Sequence, residues 1–333
     1  MKILFVNTQG SLAYKIVVDS VIAAFKRICE EDETIEFLET DHKKTERHHI
    51  APFVPDWVLT VGPLTNHSYC IKRYRGWLSV GWDQEGMYDW NRLSNTDCPN
   101  FHIMASVDPA ATRLLNEQGV PTIYLPTAHD KNTYKYEEVE EEYKSDAIIG
   151  GVMYPARVEI VKELVPILDK VKLRTINSVH WESKLIPYRK YITYYHRDMV
   201  VNEEYNKYCS GSKIILIGNR DFEPGNNHPL IHSEAIGRVF QETAIRRCVF
   251  VDNKRPNIKN HFEIGKEIVV FENGQDLRDK ILYYLEHEEE REAIAHNGYI
   301  RTSREHQYYH RVKQLVEWIR INLDEFKRRF ELN

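Results

Sequence analysis

Short apolar runs that favour β-structure alternate along the chain with stretches whose apolar residues recur at helical spacing. The first run is residues 3–6, and after a polar turn the apolar positions between Val17 and Phe25 predict a helix. Another helix is predicted from Pro109 to Gln118. Further strands of this half are predicted at residues 57–61, 77–80, 102–105 and 122–125. This alternation predicts an α/β fold with a mostly parallel, doubly wound sheet.

The pattern is interrupted at residues 134–144, an acidic segment without an apolar stripe wide enough to bury. We expect the linker between two domains there. Beyond it, strands are predicted at residues 147–151, 172–176, 213–217, 248–251 and 268–271. Helices are predicted at residues 157–170, 275–286, 289–298 and 302–330. The repeated alternation predicts a second sheet like the first.

The composition is that of a folded globular protein, with 333 residues, 42% of them hydrophobic and 29% charged. The net charge of −5 is uneven, because residues 1–150 carry 15 basic and 23 acidic side chains whereas residues 151–333 carry 30 and 27. The second half is therefore the better place for a phosphate-rich ligand. Neither half is as basic as a typical DNA-binding domain.

No apolar run has the length of a membrane span, and the amino terminus turns polar too early for a signal peptide. We therefore expect a cytoplasmic protein. The cysteines are odd in number and contain no Cys-x-x-Cys pair, so we expect reduced thiols at Cys29, Cys70, Cys98, Cys209 and Cys248. The histidines of residues 42–49 lack a matched set of further ligands, so no metal site is predicted.

The most informative window is residues 232–251, where Glu234 and Glu242 are separated by seven intervening residues ahead of an apolar strand. We expect a loop and the start of a helix between them. A helix N-terminus offers free backbone N–H groups to a diphosphate, and a carboxylate accepts hydrogen bonds from two neighbouring sugar hydroxyls. The alternative interpretation is a pair of helix charges that face solvent.

Several segments in order resemble the C-terminal domain of the CgeB-type (spore maturation) glycosyltransferases, which have the GT-B fold and are related to glycosyltransferase family four. They are residues 238–244, 271–285 and 290–299, followed by His306, Tyr309 and Arg311. Weaker similarity extends into the first half, at residues 107–109, 119–121 and 125–130. The chain departs from the family pattern at Arg246 and Arg247, which stand where a glycine is usual.

The resemblance implies two Rossmann-like domains with an interdomain cleft. An acceptor-side domain is expected at residues 1–140, a nucleotide-sugar-binding domain at 145–310, and a C-terminal helix at 311–333 that packs back on the first domain. The implied activity is hexosyltransferase-like: transfer from a nucleotide diphosphate sugar, with retention and with neither metal nor cofactor. Glu242 is then expected to hold the ribose, and Glu234 to lie near the donor sugar.

A glycine and three arginines complete the predicted donor site in the second half. Gly151 ends a strand, and its lack of a side chain allows close approach of a ligand to the backbone. Arg157 and Arg220 follow predicted strands and are candidates for phosphate binding, since a guanidinium matches phosphate oxygens. Arg238, inside the resembling segment, is a further nucleotide-binding candidate. A tight turn with a solvent-facing arginine is the alternative for residues 150–157.

The first half contributes Gly10, Asp83 and His129 as candidates. Gly10 lies in a loop suited to contact a substrate, although a plain βα turn is the alternative. Asp83 follows a strand and is our choice of general base if the sugar is inverted, with a helix cap as its alternative role. His129 is expected to reach the cleft, and Asp83 and Glu234 are expected on its opposite walls.

Two other functions stay open. One is a non-catalytic binding or structural protein that kept the fold, which fits the replaced glycine at residues 246–247. The other is a glycosyltransferase acting on modified DNA bases, which rests on the basic and aromatic segment 72–75. The residues do not specify the donor sugar, the nucleotide base, the oligomeric state or the acceptor, whether glycan, protein or modified nucleic acid.

Overall fold

The computed structural model describes residues 1–7, 12–41, 52–62, 76–177, 185–196, 202–220, 234 and 237–332. These residues form two compact units. The first contains the described residues from Met1 to Thr127 and from Tyr308 onward, and the second contains those from Ala128 to Gln307. Gly10, the histidines of residues 42–49 and the basic segment 72–75 lie outside the described residues, so the predictions made for them stay predictions.

A parallel six-stranded sheet forms the centre of the first unit, in the order β2-β1-β3-β4-β5-β6. Its strands are β1 Lys2–Asn7, β2 Glu36–Asp41, β3 Trp57–Val61, β4 Leu78–Asp83, β5 Ile103–Ser106 and β6 Thr122–Tyr124. Every residue of β3 and β4 is buried, as expected where both faces of a parallel sheet are covered. The sequence pattern does not predict β2, because this edge strand is partly exposed and mixes charged with apolar residues.

The second unit repeats this architecture with a parallel sheet in the order β12-β11-β10-β7-β8-β9. Its strands are β7 Ser145–Gly151, β8 Leu173–Asn177, β9 Tyr194–His196, β10 Ser212–Ile217, β11 Cys248–Asp252 and β12 Val269–Phe271. Its core contains fully buried residues from neighbouring strands, including Ile149, Leu173 and Phe250. The two sheets confirm the predicted α/β fold with two Rossmann-like domains.

The helices lie between the strands and at the end of the chain. They are α1 Leu12–Glu31, α2 Trp90–Arg92, α3 Pro109–Glu117, α4 Pro155–Leu164, α5 Asn202–Ser210, α6 Arg238–Thr243, α7 Ile258–His261, α8 Gly274–Glu286, α9 Glu288–Glu305 and α10 Tyr308–Arg329. The single helix predicted at residues 302–330 is thus divided between α9 and α10. The break coincides with a short bridge, in which the backbone N–H of His129 donates to the His306 carbonyl over 2.9 Å. Among the described residues, no helix is both long and apolar enough to cross a membrane.

Helix α10 is part of the first unit and packs along α1. Arg320 Nη2 donates to Asp32 Oδ2 over 2.6 Å, and the Tyr309 hydroxyl donates to Glu31. Farther along the unit, Arg311 Nε donates to the Pro126 carbonyl over 3.0 Å. The last helix therefore packs within the first unit, although in sequence it follows the second unit.

The acidic segment at residues 134–144, predicted as a linker, packs within the second unit. The amide of Asn206 on α5 is buried, and its Nδ2 donates to the Lys135 carbonyl over 2.7 Å and to Glu137 Oε1 over 2.6 Å. Tyr134 is also buried. Residues 128–140, assigned from sequence to the first domain, are accordingly grouped with the second unit, because hydrogen bonds to α5 hold a segment that lacks an apolar stripe.

Candidate active site

The strand order of the second sheet reverses at one position, between β7 and β10. Strand β7 has β8 on one side and β10 on the other, so the chain changes direction across the sheet between β7 and β10. Parallel sheets bind ligands outside the carboxyl ends of the strands at such a switch point. Gly150 and Gly151 end β7, and Gly218 and Asn219 follow β10. The candidate site is built around these residues.

Gly150 and Gly151 leave no room for a side chain. Gly151 has a φ of +90°, and a Cβ atom on it would stand 2.6 Å from Arg238 Nη1 and 2.8 Å from Arg157 Nη1. A Cβ atom on Gly150 would stand 2.6 Å from the ring of Tyr205. The left-handed backbone of Gly151 favours glycine, and a larger residue at either position would have to displace the ends of these side chains. Two guanidinium groups lie against the turn as a result.

Arg157, in the first turn of α4, is buried and ties the two loops together. Its Nε donates to the Gly218 carbonyl over 2.9 Å, and its Nη1 donates to the Val152 carbonyl over 2.7 Å. Gly218 is itself constrained, since a Cβ atom there would stand 2.7 Å from Arg157 Cγ. The solvent-facing alternative considered for this arginine is thus wrong: the side chain is an internal brace that also brings a positive charge to the turn.

Glu242 is the central acidic residue of the site and is fully buried on α6. Its Oε1 accepts a hydrogen bond from the Tyr205 hydroxyl over 2.6 Å and a second from Arg238. Arg238 also donates to the Tyr205 hydroxyl and to the Gly150 carbonyl. Oε2 of Glu242 is buried too, but among the described residues it has no hydrogen-bond partner. One oxygen is held by the protein and the other is left as an acceptor.

Burial raises the pKa of Glu242, and the nearby Arg238 and Arg157 oppose that shift. The carboxylate therefore stays in the site at an energetic cost to the fold, since a buried acceptor without a donor loses its hydration and gains no bond in return. The hydrogen bonding of such buried groups is completed by a ligand, an ion or an ordered water. A ligand hydroxyl would do so here.

Asn219 is a second buried group with an unused acceptor. Its Nδ2 donates to Asp252 Oδ1 over 2.6 Å, and its backbone N–H donates to Asp252 Oδ2 over 3.3 Å. Because a carboxylate oxygen only accepts, the amide nitrogen must face Asp252, which fixes the orientation of the side chain. Oδ1 of Asn219 then points away from Asp252 and has no partner within the part of the chain that the structure describes.

Arg220 lies beside the same loops. Its guanidinium carbon is 5.5 Å from the ring centroid of Tyr154, and that of Arg157 is 5.6 Å from the same centroid. Its carbonyl accepts a hydrogen bond from Arg255. The structure thus brings the predicted phosphate-binding candidates Arg157 and Arg220 and the nucleotide-binding candidate Arg238 to one region of the second unit.

Glu234 and His129 are both buried in the second unit. Glu234 Oε1 lies 2.9 Å from His261 Nε2, so the carboxylate has a histidine partner that the sequence analysis does not identify. His129 makes the backbone bridge to His306 described above. The alternative of solvent-facing helix charges is wrong for both glutamates of the pair, because both are fully buried.

Asp83 ends β4 of the first unit and is buried. Its Oδ2 accepts from the Gly86 backbone N–H over 2.7 Å and from Ser106 Oγ over 3.3 Å, and its Oδ1 accepts from the Glu85 N–H over 3.1 Å. Burial raises its pKa, and these hydrogen bonds oppose the shift. Both oxygens are engaged in the turn after the strand. The alternative role of a helix cap does not describe these contacts, because Glu85 is the cap residue of the 3₁₀ helix Gly86–Asp89 that follows.

The departure from the family glycine has a structural counterpart. Arg246 follows α6 and has a φ of +60°, one of the positive values found outside glycine among the described residues. Its backbone N–H donates to the Thr243 carbonyl over 3.1 Å, and its side chain is exposed. A glycine adopts this left-handed conformation without strain. The turn after the helix is therefore kept although its residue has changed.

Sequence reasoning misses Tyr205 and His261, the two partners of the glutamates. Tyr205 lies on α5, a helix that the apolar pattern does not predict, and His261 ends the four-residue helix α7. Neither belongs to a motif with a recognisable spacing. Helix α6 has six residues, so Glu242 lies in its last turn. No group of metal-ligating residues occurs among the described residues.

Comparison with known proteins supports the resemblance found in the sequence. Residues 157–317 match the protein family described as glycosyl transferase-like. Spore protein CgeB of Bacillus subtilis (strain 168) is 23% identical over 205 residues, which cover 59% of this chain and 61% of CgeB. The matched region thus spans about three fifths of that relative's length. These matches confirm the resemblance to CgeB-type glycosyltransferases.

Solved structures share the fold over nearly the whole chain. Sucrose-phosphate synthase from Thermosynechococcus elongatus has a TM-score of 0.63 at 9% identity, covering 98% of this chain and 100% of its own. The Anabaena protein HepE in complex with UDP and glucose has a TM-score of 0.61 at 12% identity, covering 96% of this chain and 99% of its own. At these identities the likeness establishes the GT-B fold.

Proposed function

We propose that this protein transfers a sugar from a nucleoside diphosphate sugar to an acceptor, using the site of the second unit. The observation that carries the proposal is the buried Oε2 of Glu242, which has no hydrogen-bond partner among the described residues and lies near the guanidinium groups of Arg238 and Arg157. A ribose hydroxyl supplies the missing donor. The glycosyl transferase-like family match and the UDP bound in the HepE structure support the same chemistry.

The diphosphate is proposed to lie along the turn at Gly151. The turn has no side chain of its own, and Arg157 and Arg238 lie against it. Fixed positive charges at this place stabilise the negative charge that develops on the leaving diphosphate, the task that a metal ion performs in other transferases. We therefore propose that transfer does not depend on a metal.

The donor sugar is proposed to contact Glu234, with retention of configuration at the transferred carbon. Retention requires no dedicated side-chain base. Asp83, the candidate base for inversion, has both carboxylate oxygens engaged by hydrogen bonds inside the first unit. Because both oxygens already accept hydrogen bonds from groups of the first unit, Asp83 is not our choice of a general base.

A non-catalytic binding protein is the second candidate, since the replaced glycine at Arg246 is a departure from the family. The structure weakens this reading, because Arg246 keeps the left-handed turn that a glycine would adopt and its side chain is exposed. The substitution therefore lies in a turn whose conformation is kept, and Arg246 makes none of the contacts described for Glu242.

A thermal-shift panel of nucleotide sugars, each paired with its nucleoside diphosphate, tests binding. A ligand at a hundred times its Kd stabilises the folded protein by about 2.7 kcal/mol. Turnover is then followed as release of the nucleoside diphosphate, with and without acceptor candidates. Binding without any slow hydrolysis of the donor would favour the binding protein. Absence of stabilisation by every nucleotide would refute both candidates.

A further inference from the structure

The closing segment of the family resemblance contains His306, a residue that the proposed site has not yet used. His306 and His261 are both buried, and both lie in the second unit with Glu234. We propose that these two histidines form a support that positions Glu234 against the donor sugar, with His261 in direct contact and His306 behind it. This inference rests on the proposed function, because it assigns the residues that hold one of its carboxylates.

His261 contacts Glu234 directly. Nε2 of the imidazole lies 2.9 Å from Oε1 of the carboxylate, and both side chains are almost completely shielded from solvent. The carboxylate oxygen accepts, so Nε2 carries the proton and donates it. A buried carboxylate needs such a donor. The hydrogen bond also fixes which way the carboxylate turns.

The position of His261 is fixed in turn through its backbone. Its carbonyl accepts a hydrogen bond from His306 Nε2 over 3.2 Å and another from Arg301 Nε over 3.0 Å. Since a carbonyl only accepts, His306 is protonated on Nε2. His261 is the last residue of α7, where carbonyl groups lack partners inside the helix. Two donors from the region of α9 thus anchor the residue that holds Glu234.

An aromatic contact connects this support to the other glutamate. The ring of Phe240 lies 5.2 Å from that of His261 and 4.9 Å from that of His306, measured between centroids. The two histidine rings are 5.4 Å apart and nearly perpendicular. Phe240 is buried on α6, the helix that carries Glu242. The helix that carries Glu242, proposed to hold the ribose, therefore packs through Phe240 against the histidines that hold Glu234, proposed to contact the sugar.

The histidines act through Glu234, so they are positioning residues. Their predicted signature is selective: a variant that releases Glu234 weakens binding of the sugar part of the donor and leaves binding of the nucleotide part unchanged. The ratio of the Kd of a nucleoside diphosphate to the Kd of its nucleotide sugar isolates this contribution. A general loss of folding changes both constants together and leaves the ratio unaltered.

The test measures this ratio by isothermal titration calorimetry with UDP and UDP-glucose, and with whichever pair in the thermal-shift panel binds best. His261→Phe keeps a ring but removes the donor, and we expect the ratio to fall roughly tenfold. His261→Gln places an amide N–H donor at a similar distance from the main chain. We therefore expect this variant to keep most of the ratio measured for the unmodified protein. His306→Phe should lower the ratio in the same direction by a smaller factor.

A double-variant cycle separates the effect of the lost hydrogen bond to Glu234 from other effects of replacing the His261 ring. In a Glu234→Gln background, His261→Phe should cause no further change in the ratio, because its effect passes through the carboxylate. An unchanged ratio in folded His261→Phe and His306→Phe, or additive losses in the double variant, would overturn the support while leaving nucleotide binding intact. Failure of every nucleotide to bind the unmodified protein would instead remove the proposed function, and this inference with it. If His261→Phe does not fold, His306→Phe carries the same comparison.

Discussion

Glu242 on α6 of the second unit and Asp83 at the end of β4 in the first are both buried carboxylates, and burial raises the pKa of both. They differ in their hydrogen bonds. Both oxygens of Asp83 accept from groups of its own unit, whereas Oε2 of Glu242 has no partner among the described residues. A satisfied carboxylate stabilises a turn, and an unsatisfied one is poised to bind. Burial and position alone do not distinguish these roles.

The largest expected effect is on nucleotide affinity in Glu242→Ala. Loss of a charged acceptor for ribose hydroxyls is expected to weaken binding of a nucleoside diphosphate by about 1.5–3 kcal/mol, with the protein still folded. Isothermal titration calorimetry measures the change, and circular dichroism checks the fold. Full affinity in a folded Glu242→Ala protein would remove this residue from the site and end the contrast with Asp83.

The matched variant Asp83→Ala is expected to behave in the opposite way. Removal of the carboxylate leaves the N–H groups of Glu85 and Gly86 without their acceptor, which destabilises the fold by about 1–3 kcal/mol. Urea denaturation measures this loss, and nucleotide affinity should stay at the level of the unmodified protein. A stable Asp83→Ala protein that no longer transfers sugar would instead restore Asp83 to a direct role in the reaction.

The contrast can be sharpened with pH. A raised pKa means that the folded state binds the carboxyl proton more tightly than the unfolded state, so stability from this group is present below its ordinary pKa of about 4.3 and is lost as pH rises through the raised value. Glu242→Gln removes this loss. Its stability relative to the unmodified protein should therefore increase between about pH 4 and pH 7, as measured from urea midpoints. A difference that shrinks over this range would show that the ion pair with Arg238 outweighs burial.

The smallest effect is expected at Arg246, outside both carboxylate sites. Arg246→Gly relieves a left-handed residue but increases the entropy of the unfolded chain, so the net gain in stability is at most about 1 kcal/mol. Thermal unfolding measures it. Nucleotide affinity should not change, because the side chain is exposed and lies in a turn. A marked gain in affinity would mean that the family glycine serves the ligand directly.

Much of the fold could be predicted from sequence because its strands are buried on both faces. Continuous apolar runs such as those of β3 and β10 are visible without further information. The partly exposed β2, the three-residue β9 and the polar helix α5 carry no such signal. They are set by contacts that are distant in sequence, as the hydrogen bonds between Asn206 and residues 135–137 illustrate.

The residues of the site also divide into those that the sequence predicts and those that it does not. Glu242, Glu234, Arg157 and Gly151 could be selected from a family pattern and from their places after strands, but their partners could not. Tyr205 reaches Glu242 from 37 residues away, and His261 reaches Glu234 from 27 residues away. No local spacing predicts such pairs. No sequence pattern predicts that both oxygens of Asp83 accept hydrogen bonds from the turn that follows it.

The central claim is that Oε2 of Glu242 accepts a hydrogen bond from the ribose of a nucleotide. The most direct measurement compares the affinities of the ribonucleoside diphosphate that binds best and its 2′-deoxy form, in the unmodified protein and in Glu242→Ala. The unmodified protein should prefer the ribonucleotide roughly tenfold, and Glu242→Ala should bind the two forms almost equally. The same preference in both proteins would contradict the account, because the ribose would then be recognised without this carboxylate.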